Sequence, residues 1–131
     1  MKIRSVLESS AVVFHSMATD DDTNNLERIQ KSFCHVLLGH NYVNYEDALK
    51  LLDMESLKER RDILCLNFAL KCLSNPKFKN LFERTPDYDY SVRNQRKFQE
   101  PQCSKARYQN SPLVYLTRIL NQYFDRLPAT R

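Results

Sequence analysis

The chain contains a single glycine, Gly39, among its 131 residues. Glycine adopts positive φ angles most readily, and the tight turns of two-residue β-hairpins require such angles. A chain with one glycine therefore has few places where neighbouring antiparallel strands can be joined. The sequence favours helix over sheet, and we predict an all-α fold of four to six amphipathic helices.

Two helices are predicted in the N-terminal part, where apolar residues recur at helical spacing. The first covers residues 3–17. The second begins at the Thr/Asp cluster 19–23, because these side chains accept the free amide hydrogens of a helix N-terminus, and it stops at Gly39. Its apolar face is expected to contain Leu26, Ile29, Phe33, Val36 and Leu37.

Three more helices have recognisable ends. An Asn-x-x-Asp pattern at 44–47 opens a short third helix, and a Ser-x-x-Glu capping box at 56–59 opens a long fourth helix that Asn-Pro at 75–76 ends. Ser-Pro at 111–112 opens the last helix. In the fourth helix we expect a buried stripe of Leu57, Leu64, Cys65, Phe68, Ala69 and Cys72, and a solvated basic face of Lys58, Arg60, Arg61 and Lys71.

Residues 84–110, called here the basic loop, have no helical period and mix aromatic with basic side chains. Arginine and lysine neutralise phosphates, and tyrosine and phenylalanine stack on unpaired bases. The candidate nucleic-acid-binding residues are Arg93, Arg96, Lys97, Lys105, Arg107 and Tyr108. In the alternative interpretation the tyrosines pack the loop onto the helices and the charges are merely solvated. In both interpretations the chain divides into a helical region (1–83), the basic loop (84–110) and a C-terminal helix with its tail (111–131).

The sequence predicts neither a metal site nor a cofactor. Three consecutive aspartates at 20–22 cannot all point at one ion, and helix capping explains them. The four cysteines lack the close pairing of structural zinc sites, and we expect them to stay reduced, with Cys65 and Cys72 as core side chains. His15 and His35 lie near apolar faces, where structural histidines are commoner than catalytic ones.

The charge and hydropathy of the chain fit an intracellular protein, cytoplasmic or nuclear. The net charge of +4 suits an anionic partner without requiring one. No apolar run approaches the ~20 residues that span a bilayer, and the first residues lack the apolar core of a signal peptide. We expect no membrane association.

Seven short blocks follow one another in an order that resembles the region after the polymerase core in non-LTR retrotransposon reverse transcriptases. They are R-S-V-L-E (4–8), L-E-R-I-Q-K (26–31), Y-E-D-A-L-K-L-L (45–52), S-L-K-E-R-R (56–61), L-C-L-N-F-A-L-K-C-L (64–73), R-N-Q-R-K-F (93–98) and R-Y-Q-N-S-P-L-V-Y-L (107–116). The resemblance covers nearly the whole chain. It departs from the family at Phe14, where tryptophan is frequent before the histidine, and at Met17 and Ala18.

The resemblance implies a segment beyond the palm, in or after the thumb, that helps to grip template and primer. Its partners would be RNA or an RNA–DNA hybrid and the upstream polymerase domains. Polymerase chemistry needs carboxylates that hold two metal ions, and the chain has no Y-x-D-D pair, so it is not expected to be an enzyme. Two alternatives stay open: a helical protein-interaction or structural module, and a degenerate retroelement remnant without activity.

Overall fold

The computed structural model describes Glu8, residues 10–86 and residues 96–127, and it confirms the all-α class. Within these residues there are six α-helices and two short 3₁₀ turns, Gly39–Asn41 and Lys79–Leu81. The helices are α1 (Ala11–Phe14), α2 (Asp20–Leu38), α3 (Tyr45–Leu51), α4 (Leu57–Ser74), α5 (Ala106–Gln109) and α6 (Pro112–Arg126). The chain forms two compact units, Met1–Leu64 and Cys65–Arg131, which are described separately.

The predicted N-terminal caps of α2, α3 and α4 are confirmed. Thr19 and Asp22 form a reciprocal capping box on α2, and the side chain of Asn44 accepts the backbone amide of Asp47 on α3 at 2.8 Å. On α4, the Ser56 hydroxyl accepts the amide of Glu59 at 3.2 Å, while the Glu59 carboxylate accepts the amide of Ser56 at 3.3 Å. These bonds satisfy amide hydrogens that have no partner inside a helix.

Two residues with positive φ follow the ends of α2 and α3. Gly39 has a φ of 50° and ends α2, as the sequence predicts. After α3 the same task falls to Asp53, also at φ 50°, and the amide of Met54 donates to the carbonyl of Leu49 at 2.8 Å. Aspartate tolerates this conformation better than most residues, so the chain can end a helix here without a second glycine.

The apolar face predicted for α2 is only in part a core surface, because Leu26 and Phe33 are half-buried and its other three residues are exposed. The residues that α2 buries are Gln30 and Cys34. Ile29, Val36 and Leu37 are between 48% and 79% exposed. Helix α3 and the turn Gly39–Asn41 pack against α2. Helical spacing predicts which side chains share a face, but a face is buried only if another element packs on it. In α2 the covered face is the one that contains Gln30 and Cys34.

Helix α4 confirms four of the six residues of its predicted stripe and corrects the rest. Leu57, Cys65, Ala69 and Cys72 are buried, Leu64 is intermediate and Phe68 is 44% exposed. Arg61, predicted in solvent, is fully buried between Leu57 and Cys65 on the same stripe. Arg60, also predicted on the solvated face, forms an ion pair with Glu8.

The second unit is built on α6. This helix buries Val114, Leu116, Thr117, Leu120 and Asn121, and α5 packs against it. Proline occupies its first turn as predicted, but the hydroxyl of Ser111 makes no capping bond. The described part of the basic loop also differs from the prediction, because Ala106–Gln109 is a one-turn helix and Arg84 forms an isolated antiparallel bridge with Phe98.

Candidate nucleic-acid interface

The two ends of the segment between Arg84 and Phe98 are held together by backbone pairing. The amide of Thr85 donates to the carbonyl of Lys97 at 3.1 Å, and the amide of Gln99 donates to the carbonyl of Glu83 at 2.8 Å. In an antiparallel pair, neighbouring residues point their backbone groups to opposite sides. The amide and carbonyl of Phe98 therefore face away from residues 83–85 and need another partner.

Asn121 on α6 supplies that partner. Its Oδ1 accepts the amide of Phe98 at 2.9 Å, and its Nδ2 donates to the carbonyl of Phe98 at 3.0 Å. Both residues are buried, Asn121 at 3% and Phe98 at 2% exposure. A buried amide side chain that satisfies both backbone groups fixes this part of the loop onto the helix.

The ring of Phe98 is the centre of an aromatic cluster. It lies 6.2 Å from the ring of Phe82 and 5.9 Å from that of Phe124, in tilted and edge-on arrangements. Such geometries suit the quadrupoles of aromatic rings. The Nζ of Lys97 sits 3.8 Å from the centroid of Phe124, close enough for a cation–π interaction. The cluster positions Lys97 at the edge of a cleft.

This cleft, called here the basic cleft, has a volume of about 630 Å³. It is lined by Leu70, Leu73, Ser74, Lys79, Asn80, Phe82, Glu83, Arg84, Lys97, Phe98 and Phe124. Three cations, Lys79, Arg84 and Lys97, thus line it with one acid, Glu83. All three are exposed residues. Three cations against one acid give the lining a net positive charge, which is suited to a phosphate-bearing ligand.

The predicted site residues do not all reach this cleft. Lys97 lines it, but Arg96 pairs with Glu100 at 2.8 Å, and this carboxylate offsets part of its charge. Lys105 and Arg107 are exposed at α5. Arg93 lies outside the described residues. Sequence reasoning missed Lys79, which stands outside the basic loop and reaches the cleft only because the 3₁₀ turn Lys79–Leu81 follows α4.

Tyr108 belongs to a different depression. It is 51% exposed and lies in a cleft with the acids Glu83 and Glu100. The other lining residues are Leu81, Gln99, Pro101, Gln102, Leu113 and Thr117, so none of the residues that line this cleft is a cation. The structure therefore separates Tyr108 from Lys97, and an acidic cleft is a poor place for a polyanion.

The first unit contains a second polar cluster, around Arg61. The Nε of Arg61 donates to Nδ1 of His15 at 3.3 Å, and Nε2 of His15 lies 2.6 Å from Oδ1 of Asp62. A guanidinium can only donate, so neutral His15 accepts on Nδ1 and carries its hydrogen on Nε2, facing the carboxylate. His15 is thus hydrogen-bonded through both ring nitrogens. Both terminal nitrogens of Arg61 are buried without a hydrogen-bond partner.

A third polar cluster joins α2, α3 and α4 through Glu27. One carboxylate oxygen accepts the Tyr45 hydroxyl at 2.6 Å, and the other accepts the backbone amide of Lys58 at 2.8 Å. Gln30 donates to the Tyr45 hydroxyl at 3.1 Å and to the carbonyl of Glu55 at 3.0 Å. Burial, helped by the hydrogen bond to Glu27, raises the pKa of Tyr45 well above its usual range.

The histidines and cysteines form no other site in the part of the chain that the structure describes. His35, expected near an apolar face, is exposed and packs its ring 4.9 Å from that of Tyr42. None of the four cysteines forms a disulfide bond, and three of them are buried. Among the described residues no group of three or more His, Cys, Asp or Glu side chains could hold a metal ion. Nor does any helix in those ranges have the length and apolar character needed to cross a membrane.

Comparison with known proteins adds no assignment, because no family model, curated protein or solved structure shows a significant match to the chain.

Proposed function

We propose that this chain is a non-catalytic helical segment of a retrotransposon-encoded reverse transcriptase-like protein, and that it binds RNA or an RNA–DNA hybrid without sequence preference. The observation that carries the binding proposal is the basic cleft, which is lined by Lys79, Arg84 and Lys97 together with three aromatic residues, and in which Glu83 is the one acid among the lining residues. The ordered resemblance of seven sequence blocks supports the family. The retrotransposon assignment can be tested directly, because an in-frame or decayed polymerase palm in the genomic DNA before Met1 would be expected.

Contacts to phosphates carry no sequence information and depend on salt, because each neutralised phosphate releases counterions. Three cleft cations can neutralise up to three phosphates. The logarithm of the binding constant should then fall against the logarithm of salt concentration with a slope of about −2 to −3, taking −0.7 to −0.9 per phosphate.

The test is fluorescence anisotropy with labelled single-stranded RNA and a labelled RNA–DNA hybrid over a range of salt. The variant Lys79→Ala/Arg84→Ala/Lys97→Ala should lose most of the affinity and most of the slope. The matched control Lys50→Ala/Lys58→Ala/Arg118→Ala removes the same charge from exposed positions outside the cleft and should keep both. Equal losses in the two variants, or no binding at low salt, would refute the proposal. Nucleotide incorporation by the purified chain would refute its non-catalytic part.

A second candidate function is a helical protein-interaction module, favoured by the exposed apolar side chains of the first unit. Ile29, Val36 and Leu37 on α2 and Leu51 on α3 are between 48% and 79% exposed. Exposed apolar surface above a few hundred Å² promotes association. Sedimentation velocity should show concentration-dependent oligomers of the purified chain, and a monomer at all concentrations would count against this function.

A further inference from the structure

Helix α2 carries a groove on the side opposite its buried residues, and this groove is called here the α2 groove. It has a volume of about 490 Å³ and is lined by Arg28, Lys31, Ser32, His35, Val36 and Tyr42. Buried Gln30 and Cys34 point the other way around the helix. The groove lies entirely within the first unit.

The spacing of the lining residues makes the groove follow the helix axis. From Arg28 to Val36 the rise is eight residues, about 12 Å at 1.5 Å per residue, and residues three and four apart stand on one face. Tyr42, just after the turn Gly39–Asn41, packs its ring on His35 and forms the wall at the C-terminal end. A groove of this length matches two turns of a second helix.

The chemistry of the lining combines free positive charge with exposed apolar surface. Arg28 and Lys31 are exposed and form no ion pair with any described residue. Val36 is 79% exposed, and the adjoining Ile29 is 48% exposed. Cations beside an apolar strip are complementary to a helix that carries acidic residues beside an apolar stripe.

From this complementarity we infer that the α2 groove docks an acidic amphipathic helix of a partner protein. The apolar strip distinguishes this occupant from a nucleic acid, which would leave Val36 against a phosphate backbone. The inference names the partner chemistry for the second candidate function and rests on that function. It is independent of the basic cleft, which belongs to the second unit.

The experiment measures binding of a labelled, hydrocarbon-stapled helical peptide with glutamates flanking a leucine stripe to the full chain. One control peptide has the same composition in scrambled order, and another has lysine in place of glutamate. We expect saturable binding of the acidic peptide only. Arg28→Glu/Lys31→Glu should weaken it at least tenfold, and Val36→Ser should weaken it severalfold.

Matched variants keep the interpretation specific. Lys50→Glu/Lys71→Glu reverses two exposed charges outside the groove, and Val13→Ser truncates a valine that is 61% exposed on α1. Both should bind the acidic peptide normally, and so should the triple alanine variant of the basic cleft, whatever its effect on RNA. Circular dichroism of each variant would check that it is folded.

Four outcomes would overturn the inference. One is binding that the scrambled peptide reproduces, and another is equal loss in groove and control variants. The third is displacement of the acidic peptide by unlabelled single-stranded RNA with the same dependence on Arg28 and Lys31, which would make the groove a nucleic-acid site. Oligomers in sedimentation that the Val36→Ser variant abolishes, without any peptide binding, would instead assign the groove to a second copy of this chain and equally refute the acidic helix.

Discussion

Replacing Asn121 with leucine tests whether a single side chain holds the basic loop against α6. Leucine has nearly the same size, so the substitution removes both hydrogen bonds to Phe98 without opening a large cavity. It leaves the amide and the carbonyl of Phe98 buried and unpaired. Each orphaned group costs about 1–3 kcal/mol, and the loop can recover part of this by moving toward water, so we expect a loss of about 2–4 kcal/mol.

The assay is urea denaturation followed by circular dichroism, together with hydrogen exchange of the Phe98 amide. The amide of Phe98 should exchange much faster in Asn121→Leu than in the native chain, because its acceptor is gone. The amide of Gln99, which donates to Glu83, reports whether the backbone pairing survives. A change in unfolding free energy below about 0.5 kcal/mol, with unchanged exchange of Phe98, would refute the reasoning.

Asn121→Asp provides a control that separates the donor from the acceptor. The carboxylate can still accept the amide of Phe98, but its second oxygen faces the Phe98 carbonyl and is repelled by it. Burial and this repulsion should raise the folded-state pKa of the new acid above its unfolded value of about 3.9. Its protonated form is then favoured by folding, so the variant should approach native stability below about pH 4 and lose stability as pH rises.

Three further predictions concern the first unit. Arg61→Met keeps the volume but removes two unpartnered nitrogens, so the free energy of unfolding should rise by about 1–3 kcal/mol. Arg61→Ala should have a lower free energy of unfolding than Arg61→Met. A methionine variant less stable than the native chain would mean that the buried guanidinium is well compensated. The raised pKa of Tyr45 means that folding favours its neutral form, so its contribution to stability is present below the unfolded pKa of about 10 and is lost as pH rises through the folded pKa. Tyr45→Phe should reduce this alkaline loss of stability, measured as the free energy of unfolding against pH. Hydrogen bonds from the Thr19 hydroxyl and amide lower the pKa of Asp22, so its contribution is present above about pH 4 and lost in acid; Asp22→Asn should reduce the acid sensitivity of unfolding, and an unchanged pH profile would contradict the capping role.

The sequence predicted helix ends better than it predicted burial. Thr19, Asn44 and Ser56 each accept the amide three residues further along, so their effect can be predicted from the neighbouring residues. The buried Arg61 donates to His15, which lies 46 residues earlier, and no local sequence pattern predicts this contact. The exposure of Phe68 and Val36 has the same origin, since helical spacing specifies a face but not what covers it.

The candidate site was partly predictable for the same reason. The excess of cations in residues 84–110 is a property of composition, and Lys97 does line the basic cleft. The pairing of Arg96 with Glu100 joins residues only four apart. The contribution of Lys79 and the separation of Tyr108 from the cations follow from how the turn, the bridge and α6 meet. Those are relations between distant segments.

The Glu27 carboxylate couples the packing of three helices in the first unit. Its two oxygens serve a hydroxyl on α3 and a backbone amide in the first turn of α4, so neither helix completes its hydrogen bonds until α2 is in place. A peptide covering residues 56–74 keeps the Ser56–Glu59 box but lacks the bond to Glu27, so it should be less helical than the same residues in the intact chain. Helix formation and helix packing are therefore coupled in this unit, and a substitution of Glu27 should destabilise α2, α3 and α4 together.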